Sequence, residues 1–317
     1  MATPELSLRT VSRTQGANEA LKSGAVAPRG FAFAFTEVPV LVQAFRRMVR
    51  GLEFDVCEMA LTTYIVAKAH GVRFTAVPAF LVRGFHHGAI VIDPASGIHE
   101  PKQLEGRRVG VNRGYTVTTG VWARAVLQEE YGLDLDKVTW VLSGDEHVAQ
   151  YQAPQNVVPN ESGRSLEELL HDGELAAIVG VEATTPDLAP LIPEPAEAGF
   201  AALRSRGAYP INHLVVVKDE LLEARPALGA EVFDAFARAK QLYVERLRDG
   251  SIASPDAADR MYQRVMEITG SDPLPYGIEP NRAVLEQLMR HAVDQRILDR
   301  PVDVESLFAE TTRGLTA

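Results

Sequence analysis

Five short stretches of the 317-residue chain combine residue types that can move protons or hold anions. In the first, Arg83-Gly84-Phe85-His86-His87-Gly88, an arginine and two histidines lie among glycines. Glycine lets the backbone approach another group closely, which a plain strand entry does not require. Neighbouring side chains on an extended chain point to opposite faces, so His86 and His87 are not expected to address one ligand, which weakens a metal reading. The ordinary alternative is one histidine packed inside and the other solvated. Arg83 together with His86 in a glycine-flanked turn favours a site.

The second stretch, Asn112-Arg113-Gly114-Tyr115-Thr116-Val117-Thr118-Thr119-Gly120, reads as a strand end, a polar turn and a helix start. Free N–H groups in a helix's first turn bind anions, aided by the helix dipole. Thr116, Thr118 and Thr119 can add hydroxyl donors, and Arg113 a two-pronged fork for a carboxylate. One threonine is enough for capping, so three of them with Arg113 and Tyr115 exceed that need. The Gly-Lys-Ser/Thr ending of a phosphate loop is absent, as is a dinucleotide fingerprint, and carboxylate binding is the expected use.

Three further stretches are weaker. Ser143-Gly144-Asp145-Glu146-His147 sets Glu146 beside His147 after a strand, which suits acid–base work, although a solvated loop fits the spacing equally well. Gly207-Ala208-Tyr209-Pro210-Ile211-Asn212-His213 offers Tyr209, Asn212 and His213 either to a ligand or to a structural junction. Phe54-Asp55-Val56-Cys57-Glu58-Met59 is expected to carry Glu58 at a strand-to-helix turn, as a buried acid or as first-turn charge favoured by the dipole. Cys57 has no evident base partner and reads as a small core residue. Zinc-protease, calcium-loop and nucleophile-elbow motifs are absent.

The elements that must position these residues alternate. Strands are expected at 6–11, 31–35, 54–56, 74–77 and 89–92, with helices at 38–50 and 61–70 between them. A second alternation follows Asp93-Pro94, with strands at 108–111, 138–142 and 175–179 and helices at 119–131 and 165–171. Residues 152–163 read as a polar loop and 186–195 as irregular chain. A strong strand at 214–217 precedes a C-terminal region that looks helical throughout. This pattern predicts an α/β protein with mostly parallel sheets. The economical arrangement has two lobes: residues 1–94 plus 208–317 form the first, and 95–207 are inserted as the second. A ligand cleft between two such lobes is a common design.

Composition narrows the function class. With 46% hydrophobic and 23% charged residues and no apolar run of transmembrane length, the chain reads as globular. Its net charge of −10 argues against nucleic acid and anionic membranes as partners. The start, MATPELSLRTVSRTQG, lacks the pattern of a secretory signal, so a cytoplasmic location is expected. The single cysteine excludes an intrachain disulfide and a multi-cysteine metal cage.

Taken together, FDVCEMALTTYIVAKA, VRGFHHGAIVI, LEGRRVGVNRGYTVTTGVWAR, VTWVLSGDEHVAQY and YPINHLVVVKDEL resemble the 4,5-dihydroxyphthalate decarboxylase family, which is related to the substrate-binding proteins of ABC transporters. The resemblance spans most of the chain, from Leu6 to the helix after Asp219, and is weakest in the C-terminal helices. It implies a two-lobed type 2 periplasmic-binding-protein fold and the non-oxidative decarboxylation of a small hydroxylated aromatic acid. Such chemistry needs no electron-sink cofactor. Arg83, Arg113, Tyr115, Thr116, Thr118, Thr119, Tyr209 and Asn212 are then the candidate substrate-binding residues. His86, His147 and His213 are the candidate proton carriers, with Glu146 or Glu58 as partner. A divalent metal held by His86, Glu146, His147 and Glu58 is a secondary expectation, and a homo-oligomer is left open. The rival function is a solute receptor for a transporter, because fold alone does not decide between enzyme and receptor.

Overall fold

The computed structural model describes residues 6–317. In chain order the first elements are β1 (Ser7–Val11), α1 (Gly16–Lys22), β2 (Ala32–Phe35), α2 (Leu41–Gly51), β3 (Val56–Ala60), α3 (Leu61–Ala69), β4 (Phe74–Arg83) and β5 (Ile90–Ile92). They are followed by β6 (Arg108–Val111), α4 (Thr118–Tyr131), β7 (Thr139–Leu142), β8 (Val157–Pro159), α5 (Leu166–His171), β9 (Ala177–Val179), β10 (Ala189–Pro190) and α6 (Pro195–Arg206). The last are β11 (Ile211–Lys218), α7 (Asp219–Ala224), α8 (Leu228–Asp249), α9 (Ala257–Thr269) and α10 (Arg282–Asp294). No helix among the described residues is long and apolar enough to cross a membrane.

The chain divides into two compact units. The first comprises Met1–Gly84, described from Leu6, with Ile211–Glu286 and Val302–Ala317; the second comprises Phe85–Pro210 and Gln287–Pro301. The division therefore falls at 84/85 and 210/211 where the sequence pattern suggests 94/95 and 207/208. The end of α10 and the segment after it join the second unit, which no local pattern announces.

In the first unit five strands run in the order β2-β1-β3-β11-β4. β1 is parallel to β2 and β3, whereas β11 is antiparallel to both β3 and β4. The sheet is thus mixed, because β11 returns late in the chain and inserts between two early strands. Pro78 explains a local irregularity. It has no N–H for the ladder, and opposite it the β11 register jumps from Leu214↔Phe80 to Val215↔Val77. A bulge of this kind bends the strand that carries it and increases the local twist; Leu214 is the residue just before the jump, and His213, opposite Val82, precedes it at a smaller shift. On the other edge of β11 the register is regular, with His213 opposite Ala60 and Val215 opposite Glu58.

β3 is longer than the sequence suggests and carries Cys57, Glu58 and Met59 inside it. Glu58 is therefore mid-strand, not at a turn, because β11 supplies ladder partners as far as Ala60, while β1 pairs with β3 only as far as Cys57. α3 follows without a loop and is buried from Leu61 to Ala67, an apolar helix on all sides. α1 packs on α8 through Gly16, Ala17 and Tyr243, in a cluster with Leu247, Tyr262 and Leu274.

The second unit has six strands in the order β10-β5-β9-β6-β7-β8. β9, β6, β7 and β8 are parallel, while β5 and β10 are antiparallel additions. Its core gathers Val91, Val141, Leu166, Leu169, Leu170, Leu175 and Ile178. α5 starts at the Ser165/Glu168 capping box that its sequence indicates. β8 and β10 arise in segments that read as loop and irregular chain, and α6 in a stretch given no element; α6 begins at a proline, which is favourable at a first helical position.

Because α1 approaches α8 most closely at Gly16, a β-carbon at that position would enter the space of the Tyr243 ring, whose hydroxyl is bonded to Asp259. Gly16→Ala is predicted to destabilise the protein by about 1–3 kcal/mol, as overpacking does, lowering the urea midpoint. An unchanged midpoint would show that this contact is looser than described.

Candidate functional site

Glu58 organises the first unit. Its carboxylate is 1% exposed, and an ionised group at such depth persists only with several donors around it. Oε2 accepts from the Ser12 hydroxyl at 2.8 Å and from the Arg13 N–H at 2.9 Å; Oε1 accepts from His213 Nδ1 at 2.7 Å. Strand geometry produces this arrangement. Ser12 and Arg13 follow the last residue of β1, which is parallel to β3 with Val11 beside Cys57. His213, opposite Ala60, is the diagonal cross-strand neighbour of Glu58, a spacing of roughly 7–8 Å that two long side chains can bridge. Burial pushes the Glu58 carboxyl up, but the hydrogen bond and charge of His213, the Ser12 hydroxyl and the nearby Arg13 outweigh it and hold the group below the ordinary carboxylate range.

The result is an imidazole fixed by one nitrogen. With Nδ1–H on Glu58, the tautomer and ring plane are set, and Phe45 packs edge-on against the ring at 5.3 Å. Nε2 makes no hydrogen bond among the described residues, and the side chain is 19% exposed. This arrangement can hold and release a proton at Nε2. Two other residues of the same unit stand differently. Arg83 is buried, with Nη1 donating to Asn281 Oδ1 at 2.7 Å, while Asn281 itself donates to two backbone carbonyls. Asn212 is partly buried next to His213.

In the second unit the turn before α4 is built around Glu146. The carboxylate accepts from the N–H groups of Tyr115 and Thr116, the latter at 3.2 Å, and from the Thr116 hydroxyl at 2.5 Å. Gly114 permits this, since a β-carbon there would lie 2.6 Å from Glu146 Oε2. Donors that the sequence offers to a ligand are thus engaged by an internal carboxylate. Thr118 and Thr119 form the first positions of α4, after Val117, whose side chain supplies no cap. Arg113 stands on the same turn with φ of +70°, a left-handed conformation rare for a residue with a side chain, and its N–H donates to Ser143 Oγ at 2.7 Å. Its guanidinium has no carboxylate partner among the described residues, and burial of the head group lowers its pKa with nothing opposing.

Arg124, a residue the sequence does not single out, lies fully buried behind this turn. It donates through Nη2 to the Tyr115 carbonyl at 2.6 Å and through Nε to Gln295 at 2.9 Å, and it stacks 3.8 Å from the Tyr115 ring. No carboxylate pairs with it directly. The turn therefore carries two guanidinium groups, from Arg113 and Arg124, and Glu146 binds its N–H groups.

The remaining candidates are placed as follows. His86 and His147 are buried. His87 is buried too, so neither histidine of the pair is the solvated one. Its Nε2 meets Glu130 at 3.0 Å, and Arg206 donates to the same carboxylate at 2.5 Å. Glu130 is near the end of α4, about 18 Å along the helix axis from Thr118, so His87 belongs to an ion-pair cluster away from the threonine turn. Tyr209 packs its ring 5.5 Å from Phe85. Among the described residues no group of three or more His, Cys, Asp or Glu side chains is arranged to hold a metal ion. In particular, Glu58 is taken up by Ser12, Arg13 and His213.

Ser12, Arg13 and Arg124 escape the sequence reading. A signal exists for the first two, because VSRTQG has the same strand-to-helix layout as the Arg113 turn. A mid-helix arginine such as Arg124 gives none. The Glu58 geometry yields a pH prediction. A carboxyl whose folded-state pKa is depressed adds stability above its unfolded pKa, near 4.3, and loses it as pH falls through the folded value. Glu58→Gln is thus expected to lower the melting temperature most at neutral pH, the gap to wild type narrowing below about pH 4. A gap independent of pH would contradict an ionised Glu58.

No protein-family model matches the chain. Among curated proteins, a 4,5-dihydroxyphthalate decarboxylase of Comamonas testosteroni is 29% identical over 283 residues, covering 84% of this chain and 85% of that one. One of Pseudomonas putida is 35% identical over 149 residues, covering 44% of this chain and 57% of the relative. Among solved structures, the aliphatic sulphonate binding protein SsuA of Escherichia coli superposes with a TM-score of 0.52 at 13% identity, covering 98% of this chain and 99% of the other. A protein of Archaeoglobus fulgidus gives 0.53 at 13% identity, covering 92% and 98%. The desulfurization enzyme DszB gives 0.51 at 15%, covering 96% of each. At these identities the structural likeness carries the fold alone. The mixed sheets and two units described above thus have the two-lobed fold of SsuA-type proteins, and by sequence the chain is related to curated 4,5-dihydroxyphthalate decarboxylases, which are carboxy-lyases.

Proposed function

We propose that this protein is a cytoplasmic carboxy-lyase that removes CO2 from a hydroxylated aromatic acid of the 4,5-dihydroxyphthalate kind, with His213 as the proton carrier and Glu58 as its orienting partner. The observation that carries the assignment is the buried, ionised Glu58 on His213 Nδ1 with Nε2 left unengaged. The sequence relationship supplies the reaction class. Glu146, bonded to the turn of Tyr115 and Thr116, is better suited to shaping that turn than to acting as a base. Arg113 is the best candidate for a substrate carboxylate, because its guanidinium has no carboxylate partner among the described residues.

The chemistry follows from the ring. A hydroxyl para to the departing carboxylate, once ionised, pushes electron density onto the carbon bearing that carboxylate. Nε2–H of protonated His213 delivers its proton there and forms the new C–H bond. The C–C bond to the carboxylate then breaks, its electron pair returns to the ring and restores aromaticity, and CO2 leaves. One proton is consumed per CO2 released. Glu58, accepting from Nδ1, holds the imidazole in place while Nε2 gives up and regains its proton. The ring serves as its own electron sink, so this route asks for no organic cofactor.

The test is incubation with 4,5-dihydroxyphthalate while CO2 is followed. Wild type is expected to release CO2. His213→Gln is expected to lose about 10²–10⁴-fold in kcat, the range of positioned acid–base groups, with KM little changed. Arg113→Met is expected to raise KM about 10-fold or more, the worth of a charge-assisted hydrogen bond. Tight binding by wild type without CO2, with and without added divalent metal, would favour a solute receptor.

A further inference from the structure

The Glu58 carboxylate divides its work between its two oxygens. Oε1 meets only His213, whereas Oε2 takes both the Ser12 hydroxyl and the Arg13 N–H. Ser12 is itself held. Asn18, fully buried in the first turn of α1, donates through Nδ2 to Ser12 Oγ at 2.7 Å and to the Arg13 carbonyl at 2.8 Å, while its Oδ1 accepts the Gln15 N–H at 3.0 Å. The backbone partners fix which end of the Asn18 amide is which, since a carbonyl must be met by N–H and an N–H by oxygen. Donation from Asn18 fills an acceptor position on the Ser12 oxygen, so the Ser12 proton is directed at Glu58. The competing direction, to the Arg13 carbonyl, is 3.4 Å away. Lys22 clamps the same turn from outside, donating to the Ser12 carbonyl at 2.9 Å and to Thr14 Oγ1 at 2.8 Å.

We propose that Ser12, with its hydroxyl aimed by Asn18, is a positioning residue that holds Glu58 and sets how strongly Glu58 grips His213. A donor on Oε2 withdraws charge from the carboxylate, which weakens its pull on the imidazole proton. Removing that donor makes Glu58 the stronger acceptor, and His213 then keeps its positive charge to higher pH. The titratable groups facing Glu58 are Arg13 from the turn, His213 from β11, Cys57 on its own strand and Tyr276 from the segment after α9. Phe45 of α2, packed on the His213 ring, brings no charge. Among the described residues Oε2 takes the Ser12 hydroxyl and the Arg13 N–H, and Ser12 carries no charge, so substitution at Ser12 isolates the effect. Its consequence for turnover rests on His213 being the proton carrier; the positioning itself does not.

The experiment is a titration of the imidazole resonances of ¹⁵N-labelled full-length protein, with His213 assigned by its loss in His213→Gln. Ser12→Ala is expected to move the His213 midpoint up by about half a pH unit, about 0.7 kcal/mol on the scale of 1.36 kcal/mol per unit. Ser12→Thr, which keeps the hydroxyl, is expected to stay near wild type, and Asn18→Ala to shift in the same direction by less. A folded Ser12→Ala variant with an unmoved or lowered midpoint overturns the proposal. Should that variant not fold, Ser12→Cys, a weak donor of similar size, is read by the same criterion. Because the midpoint is measured without substrate, absence of CO2 release would count against the decarboxylase reading and leave this one to its own result.

Discussion

An ionised carboxylate in the middle of a β-sheet is the constraint around which the first unit is arranged. Moving such a charge out of water costs several kcal/mol even after relaxation, and Glu58 recovers this through three donors from two different strands' ends and faces. Each donor is a topological commitment. The parallel pairing of β1 with β3 brings the Ser12–Arg13 turn alongside Glu58, and the antiparallel insertion of β11 brings His213 to it diagonally. If either pairing slipped by one residue, the donors would turn to the opposite face. The carboxylate thus makes register and chemistry interdependent.

The second unit meets the same difficulty with opposite sign. Arg124 is a fully buried cation without a direct carboxylate, softened by the Tyr115 carbonyl, the Gln295 amide oxygen and the faces of Tyr115 and Trp140. Arg113, on a left-handed backbone, keeps a second cation at the turn. Glu146 offsets one of them by binding the turn's own N–H groups. An excess of positive charge in a partly dry setting is what anion recognition requires, and the strain at Arg113 is the kind that persists where surrounding structure insists on it.

Much of the fold could be read from pattern. The strand at 108–111, the helices after Leu61 and Thr118, and the capping box at Ser165 follow from periodicity and capping chemistry. The failures have physical causes. The strand expected at 74–77 ends before Pro78, yet β4 runs on to Arg83 because β4 itself bulges at Pro78 and Ala79, where the register against β11 jumps. Glu58 reads as turn charge because its compensating donors lie 46 and 155 residues away in sequence. The antiparallel β11 and the assignment of 287–301 to the second unit depend on long-range pairing that no window of sequence contains. For the site, residue types were legible and partnerships were not. His213 and Glu58 are both apparent as candidates, but nothing in their spacing joins them, and nothing near His87 in sequence announces Glu130 as its partner.

In the chemistry proposed above, His213 carries a proton to and from a ring carbon. Exchange of the ring hydrogen asks for the same proton carrier without CO2 loss, so this step can be followed by offering the decarboxylated ring, 3,4-dihydroxybenzoate, in D2O and measuring deuterium uptake by NMR. The wild-type protein should exchange the hydrogen on the carbon that had carried the lost carboxylate, and His213→Gln should abolish that exchange. Equal exchange by the two proteins would contradict the account.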